Sequence, residues 1–232
     1  MADTWESHVI PHGTLNELLP GLWEVTGSSG PLPRTMTVFR LKSSGLWLHS
    51  AVALDDDGMA ALEALGPPEV LVVPSGMHRL DAAVYKQRYP DIQVICPRQA
   101  RKAVEKVVAV DADAEDVLEE QDIAWQTPPG MKPDELVFEL PVEGGRALLF
   151  CDALFNLDHL PGLKGWILKT MGSTGFFGTT FIGRFFSRDK AGWKGWLEAQ
   201  GERDDIRAIV VTHGTPITAD CAQRMGEAAA RL

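Results

Sequence analysis

Ala147-Leu148-Leu149-Phe150 is a run of four apolar residues, and an aspartate, Asp152, follows it after a single cysteine. Such a continuous apolar run is typical of a strand that is buried on both faces. Two further apolar runs lead into a histidine in a similar way: residues 70–73 precede His78, and residues 209–211 precede His213. A strand fixes a side chain at its end, while the loop beyond it leaves room for a ligand. These three strand ends are therefore the first candidates for chemistry.

Two imidazoles and one carboxylate form a ligand set that suits a divalent cation with open positions for water and substrate. The structural alternative stays open for each residue, because a lone histidine at a strand end is more commonly a hydrogen-bonded residue than a ligand. The spacing of residues alone does not separate these two interpretations.

The first half of the chain reads as a β meander followed by alternating strands and helices. Short apolar runs between turn signals predict antiparallel strands over residues 22–26, 36–41 and 46–49. Helical spacing of apolar residues predicts helices over residues 55–66, 80–89 and 98–106. Strands over residues 70–73 and 93–96 lie between these helices. This alternation indicates βαβ units, whose helices cover a sheet.

The second half returns to a β pattern after an acidic stretch over residues 109–122. Strands are predicted over residues 123–126, 136–140, 146–150 and 206–211. Glu143-Gly144-Gly145 joins the second and third of them as a hairpin, and a closing helix is predicted over residues 220–232. Two β halves with helices between and after them are consistent with two sheets facing each other between helical layers.

The motif Ala147-Leu148-Leu149-Phe150-Cys151-Asp152-Ala153-Leu154-Phe155 resembles the strand of the metallo-β-lactamase superfamily that ends in a metal-bridging aspartate. Val210-Val211-Thr212-His213-Gly214 resembles the last metal-binding histidine-glycine pair of that family. The resemblance runs from Leu22 to about Ile217. It implies an α/β fold of the αββα sandwich type, with two facing mixed sheets and helices outside. We expect a single domain over residues 1–232, with an N-terminal extension over 1–20 and an aromatic, glycine-rich insertion over 160–190.

This sequence departs from the family's main signature, which is a strand followed by H-x-H-x-D-H. Here Pro74 and Gly76 stand at the two leading histidine positions, His78 stands at the aspartate, and Arg79 stands at the final histidine. The family's third histidine of the first metal site corresponds to Met131, in the turn Gly130-Met131-Lys132-Pro133. This pattern resembles a branch of the superfamily with a degenerate metal-binding motif.

The resemblance, with these histidine positions lost, implies a mononuclear site with His78, Asp152 and His213 as metal ligands. Zinc is the first expectation for the cofactor, with iron or manganese as alternatives, and the absence of any metal is also left open. The family chemistry is activation of water for hydrolysis of an ester, amide or thioester. His49 and Asp152 are the catalytic candidates, and His49 or Glu135 is a candidate for proton transfer. Arg79 is a candidate for binding an anionic group of the substrate.

Composition narrows the class of partner. The formal net charge is -10, so no basic stripe is available for phosphate backbones and we expect no nucleic-acid partner. No apolar stretch is long enough for a membrane span, and the acidic N-terminus does not resemble a secretory signal. The three cysteines, Cys96, Cys151 and Cys221, have no C-x-x-C spacing. A disulfide framework is not expected, and a reducing cytoplasm fits best.

Two classes of function remain open, and a third hypothesis concerns self-association of the protein. The leading hypothesis is a mononuclear metal-dependent hydrolase that acts on a small-molecule substrate. The alternative is a catalytically inactive protein that keeps the fold and binds a small anionic ligand or a protein partner. A homodimer through the aromatic segment 166–186 is the third, since an exposed aromatic patch indicates an interaction surface.

Overall fold

A computed structural model describes residues 4–29, 32–118, 121–132, 135–170, 172–181 and 183–232. The chain divides into two compact units: the first unit is Met1–Ile123 and the second unit is Ala124–Leu232. None of the described helices is long and apolar enough to cross a lipid bilayer. Each unit is built on a main sheet of its own.

The first unit contains a seven-stranded sheet in which the strands follow chain order. The strands are β1 (Asn16–Leu19), β2 (Leu22–Ser29), β3 (Leu32–Arg40), β4 (Leu46–His49), β5 (Pro68–Val72), β6 (Gln93–Cys96) and β7 (Ala112–Asp113). The helices are α1 (Trp5–His8), α2 (Asp56–Leu65), α3 (Ala82–Arg88), α4 (Arg101–Val104) and α5 (Ala114–Val117). The pairings from β1 to β4 are antiparallel, and those from β4 to β7 are parallel.

The switch from antiparallel to parallel pairing follows from the crossover helices. α2 begins where the Asp55 carboxylate accepts the N–H of Gly58 at 2.8 Å, and Gly66 with φ +151° ends it. Met59 and Leu62 of α2 are buried in the core of the first unit. A helix of this kind returns the chain so that the next strand lies parallel to the previous one.

The second unit contains a four-stranded sheet in the order β13-β10-β9-β8 and a separate two-stranded sheet of β11 and β12. The strands are β8 (Ala124–Gln126), β9 (Val137–Val142), β10 (Gly145–Phe150), β11 (Phe155–Leu157), β12 (Phe176–Gly178) and β13 (Ile206–Val211). The helices are α6 (Gly162–Thr170), a 3₁₀ helix (Gly183–Phe186), α7 (Lys190–Gly201) and α8 (Cys221–Ala230).

Most predicted elements agree with the structure. The strands over residues 46–49, 93–96 and 206–211 match β4, β6 and β13 to the residue. The helix predicted over residues 98–106 is wrong in length, because only Arg101–Val104 is α-helical. The backbone N–H of Arg98 is bound by the Glu115 carboxylate at 3.0 Å, which holds that end outside the helix.

Two predicted segments have more structure than expected. The proposed extension over residues 1–20 includes β1, which pairs with β2 and so belongs to the first sheet. The proposed insertion over residues 160–190 contains α6, β12 and the 3₁₀ helix, while residues 171 and 182 lie outside the described part. The single-domain assignment stays a prediction.

Candidate metal centre

Asp152 and His213 lie just beyond the ends of two neighbouring strands of the sheet in the second unit. β10 and β13 are parallel, and Phe150 lies opposite Val211 at their last paired position. The N–H of Thr212 then donates to the carbonyl of Phe150 at 3.0 Å, so the ladder continues one step beyond the strand. Parallel strands bring their carboxyl ends to the same edge, and the two side chains therefore follow their strands at equivalent positions.

The two side chains meet directly. Oδ1 of Asp152 lies 3.2 Å from Nε2 of His213. Asp152 is only 4% exposed and His213 only 6% exposed. A buried carboxylate beside a buried imidazole is a strong local electrostatic feature, because neither group is screened by bulk water.

Glu135 holds the loop that carries Asp152. Its carboxylate accepts three backbone N–H groups in a row: Oε1 accepts from Cys151 at 2.9 Å and from Ala153 at 3.1 Å, and Oε2 accepts from Asp152 at 3.0 Å. The residue is itself buried, with 5% exposure. This arrangement fixes the backbone of the loop and so the direction of the Asp152 side chain.

The same arrangement concentrates negative charge. Burial raises the pKa of Glu135, and the negative charge of Asp152 raises it further, while the three backbone N–H donors oppose the rise. Two buried carboxyl groups so close together repel each other when both are ionised. The folded protein therefore disfavours the state in which Glu135 and Asp152 are both ionised.

His213 is held by its ring and by its backbone. The ring of Phe155 lies 4.8 Å from the imidazole, centroid to centroid. The carbonyl of His213 accepts the N–H of Asn156 at 3.1 Å. The next residue, Gly214, has φ +129°, and a Cβ there would lie 2.0 Å from the Asn156 carbonyl oxygen. Glycine is therefore required after His213, as the histidine-glycine motif suggests.

His49 and His78 both belong to the first unit. His49 ends β4, is 2% exposed, and stacks on Trp47 with 5.7 Å between ring centroids. Burial lowers the pKa of His49 to about 3, and the charge of His78 is the second cause. Nδ1 of His78 lies 3.2 Å from the Ser50 hydroxyl, and its side chain is half-buried.

Arg79 lies beside His78 in the loop after β5. Its guanidinium donates to the carbonyl of Ala103 in α4, so at least one donor stabilises the local structure. The backbone N–H of His78 donates to the Ser75 carbonyl at 3.2 Å, which folds residues 75–78 into a turn. The side chain of Arg79 is half-buried, so part of it remains accessible to solvent.

The positions that replace the family's histidines are built for packing. Pro74 is buried, and a Cβ at Gly76 would lie 2.7 Å from the Cβ of Ala103. An imidazole would not fit at position 76 without a shift of α4. Met131 is 7% exposed and belongs to the apolar core of the second unit. Pro133, in the same turn, lies outside the described residues.

Some functional contacts are not visible as sequence patterns. The sequence suggests Glu135 for proton transfer, but the structure shows its carboxylate bound to backbone N–H groups. His8, His12 and His159 read as loop or solvated histidines, yet each has a specific partner in the structure. These partners are Asp81 for His8, the Asp55 backbone and carboxylate for His12, and the Thr174 hydroxyl for His159.

Comparison of the sequence with protein-family profiles and with curated proteins finds no match. Solved structures do match. The metallo-β-lactamase FIM-1 from Pseudomonas aeruginosa, in its mono-zinc form, aligns with a TM-score of 0.64 and 18% identity over 97% of each chain. The metallo-β-lactamase from Erythrobacter litoralis aligns with a TM-score of 0.63 and 14% identity, over 94% of this chain and 96% of its own.

A metallo-β-lactamase from Hirschia baltica aligns with a TM-score of 0.62 and 14% identity, over 94% of this chain and 98% of its own. At such identities the likeness is one of fold. It spans both units and agrees with their mixed sheets and helices. The chain therefore has the metallo-β-lactamase fold, as the residues around Asp152 and His213 predict.

Proposed function

We propose that the protein is a mononuclear metal-dependent hydrolase whose metal is held by Asp152 and His213. The observation that carries this proposal is the buried contact of the two side chains, with Oδ1 of Asp152 3.2 Å from Nε2 of His213. The substrate class is a small molecule with an ester, amide or thioester carbonyl. The fold supports this class of chemistry but does not select a substrate.

The donor atoms fit a divalent metal in type and in spacing. Carboxylate oxygen and imidazole nitrogen are both ligands of zinc, iron and manganese. Two ligand atoms on a tetrahedral zinc with bonds of about 2.0 to 2.1 Å lie about 3.3 Å apart. The 3.2 Å between Asp152 and His213 is close to that edge. The same spacing suits a hydrogen bond, so metal content is the quantity to measure.

When bound, a metal here would activate water and polarise the carbonyl of the substrate. Asp152 and His213 would hold it, and the sequence resemblance nominates His78 as a further ligand. Glu135 acts as a positioning residue, because it binds the backbone N–H of Asp152 and of both neighbouring residues. Phe155 limits rotation of the His213 ring by packing against it.

His49 was a catalytic candidate on sequence, and its structural setting narrows what it can do. A group with a pKa of about 3 holds a proton poorly near neutral pH, whereas an efficient general base has a pKa near the working pH. Burial and stacking on Trp47 also keep the imidazole fixed. We therefore propose that His49 supports the end of β4 as a neutral residue and takes no part in proton transfer.

The rival function is a binding protein without catalysis. It is favoured by the residues at the family's histidine positions, because Pro74, Gly76 and Met131 pack locally. In that case Arg79 would bind an anionic group with the guanidinium donors that Ala103 does not use. This role needs no metal at Asp152 and His213, so metal content separates the two functions.

The test is elemental analysis of protein purified without a metal-chelating tag, before and after incubation with zinc, iron or manganese. We expect about one metal ion per chain in the wild type, and its loss in Asp152→Asn and in His213→Gln. Asp158→Asn and His159→Gln are matched controls, since both residues are exposed neighbours in the second unit. A His78→Ala variant tests the nomination of His78 separately.

Ester and thioester substrates are then screened with the loaded protein. Hydrolysis that depends on the metal and is lost in Asp152→Asn supports the proposal. A wild-type protein that holds no metal after reconstitution would contradict the hydrolase proposal and support the function of a binding protein. Metal that persists in both Asp152→Asn and His213→Gln would show that the ion is bound elsewhere.

A further inference from the structure

Helix α6 presents an apolar face to solvent. Leu163 is 73% exposed, Trp166 is 61% exposed and Ile167 is 43% exposed. Residues spaced by three and four positions lie on the same side of a helix, so these three form one face. Phe181, later in the same segment, is 46% exposed. Exposed apolar side chains grouped in this way mark an interaction surface.

The segment that contains this face has an unusual charge for this protein. Residues 159–188 include four cations, Lys164, Lys169, Arg184 and Arg188, and no aspartate or glutamate. With the exposed aspartates Asp158 and Asp189 that flank them, four cations and two anions give the stretch 158–189 a net charge of +2, whereas the whole chain has a net charge of -10. Lys169, Arg184 and Arg188 are exposed. Arg184 and Arg188 also line a surface cavity of about 230 Å³ together with Ser187, Lys190 and Leu232.

We propose that the segment 159–188 binds the surface of an anionic lipid bilayer. Leu163, Trp166 and Ile167 enter the boundary between headgroups and acyl chains, where tryptophan and aliphatic side chains are favourable. The exposed cations Lys169, Arg184 and Arg188 bind lipid phosphates, which attract basic residues close to the membrane. The helix lies in the interface.

The positive charge of the segment 159–188 favours an anionic bilayer over a second copy of this chain as the partner of the apolar face. A symmetric dimer places the same patch of both copies together. Such a dimer through this segment would bring the exposed cations Lys169, Arg184 and Arg188 of each copy towards those of the other copy, so regions of net positive charge would meet. An anionic bilayer instead complements that charge and covers the apolar face without requiring a matching shape.

The test is co-sedimentation of the protein with vesicles of phosphatidylcholine alone or mixed with phosphatidylglycerol. We expect binding to the anionic vesicles, weak binding to the neutral ones, and a decrease with added salt. Trp166→Ser should weaken binding about tenfold or more, because the bilayer no longer buries the indole ring of Trp166. Lys169→Gln should weaken it about fivefold, the contribution of one cation near the surface.

Two matched variants control for general changes of the surface. Leu80→Ser removes another large apolar side chain that is 60% exposed. Lys102→Gln removes an exposed cation of α4 in the first unit. Both should leave vesicle binding unchanged, and circular dichroism should show that every variant is folded. Metal content should also be unchanged, so this test is independent of the proposed hydrolase.

Two results would overturn the proposal. The first is a folded wild-type protein that does not sediment with anionic vesicles at low salt. The second is equal binding by wild type and Trp166→Ser, which would exclude α6 from the contact. A dimer in light scattering that is lost in Trp166→Ser, without vesicle binding, would assign the face to a second copy.

Discussion

Oε2 of Glu135 accepts a hydrogen bond from the backbone N–H of Asp152 at 3.0 Å. Glu135 thus reaches a candidate ligand through the main chain, and its other oxygen binds the N–H groups of Cys151 and Ala153. All three donors are buried, so without this carboxylate they would lose their partner away from water. Unsatisfied buried N–H groups are costly, which gives this side chain a structural role that can be measured.

Replacing Glu135 with glutamine should lower the free energy of unfolding by about 2 to 4 kcal/mol, because the amide nitrogen cannot accept from a backbone N–H. Urea denaturation measures the change. Glu198→Gln is the control, since Glu198 is exposed on α7 and its contact with Lys194 is a surface pair at 3.9 Å. An unchanged unfolding midpoint for Glu135→Gln would show that the loop does not depend on this carboxylate.

Gly214→Ala should destabilise the second unit by about 2 to 4 kcal/mol, because the new Cβ collides with the backbone of Asn156 and the residue has a positive φ. Gly195→Ala is the matched control within α7. A Cβ at Gly195 meets nothing within 4 Å, so alanine should raise stability by about 0.5 to 1 kcal/mol. Thermal unfolding compares the two, and equal melting temperatures would contradict the prediction.

His49 should make stability fall in acid. Its pKa is about 3 in the folded state, and an unfolded histidine has a pKa of about 6.5. Below about pH 6.5 the unfolded chain binds a proton that the folded chain does not, so this contribution is complete above that pH and is lost as the pH falls towards 3. The maximum slope is about 1.4 kcal/mol per pH unit.

The measurement is urea unfolding at several pH values between about 7.5 and 4.5. His49→Gln should have a shallower pH dependence than the wild type, whatever its stability at neutral pH. His159→Gln, at an exposed histidine, is the control variant for the loss of an imidazole. Parallel curves for the wild type and His49→Gln would mean that His49 takes up its proton in the folded state.

Asp81→Asn should cost about 3 to 5 kcal/mol, because Arg34 loses its buried counter-ion. Asp81 is 2% exposed, and its carboxylate lies 2.9 Å from both Nη2 of Arg34 and Nδ1 of His8. Asp116→Asn is the control, because Asp116 is an exposed partner of Arg98, which also binds Asp113. Chemical denaturation with equal losses in both variants would argue against a special role for Asp81.

The sequence predicted that Asp152 and His213 follow strands, and the structure agrees; their role as metal ligands stays a prediction. Asp152 and His213 each follow an apolar run, and such runs are visible in a sequence because a buried strand needs apolar residues on both faces. Their meeting follows from the parallel pairing of β10 and β13, which local patterns do not specify. The likeness to a known family supplied that step.

Helix α7 was missed, although its signals are present. Asp189 caps it by accepting the N–H of Ala191, and its buried face consists of Trp193, Trp196, Leu197 and Gln200. Three glycines within Lys190–Gly201 lower its intrinsic helix propensity and hide this pattern. Tertiary packing of the two tryptophans, whose rings stack 5.3 Å apart, outweighs that cost.

No sequence pattern predicts that Glu135 binds the backbone N–H groups of the loop that carries Asp152. Its partners are backbone N–H groups, which every residue except proline offers, so the identities of Cys151, Asp152 and Ala153 contain no signal for it. The position of this acidic residue two residues before the apolar strand β9 was the one sequence sign that its charge would be buried. Burial then requires partners, but not particular ones.

The parallel pairing of β10 and β13 makes the spacing of Asp152 and His213 a property of two adjacent strands. The chain between them can therefore change length or sequence without altering their separation, provided that both strands keep their register. The sheet of the second unit thus acts as a rigid frame for this pair, and variation in the loops of that unit is separated from the geometry of the pair.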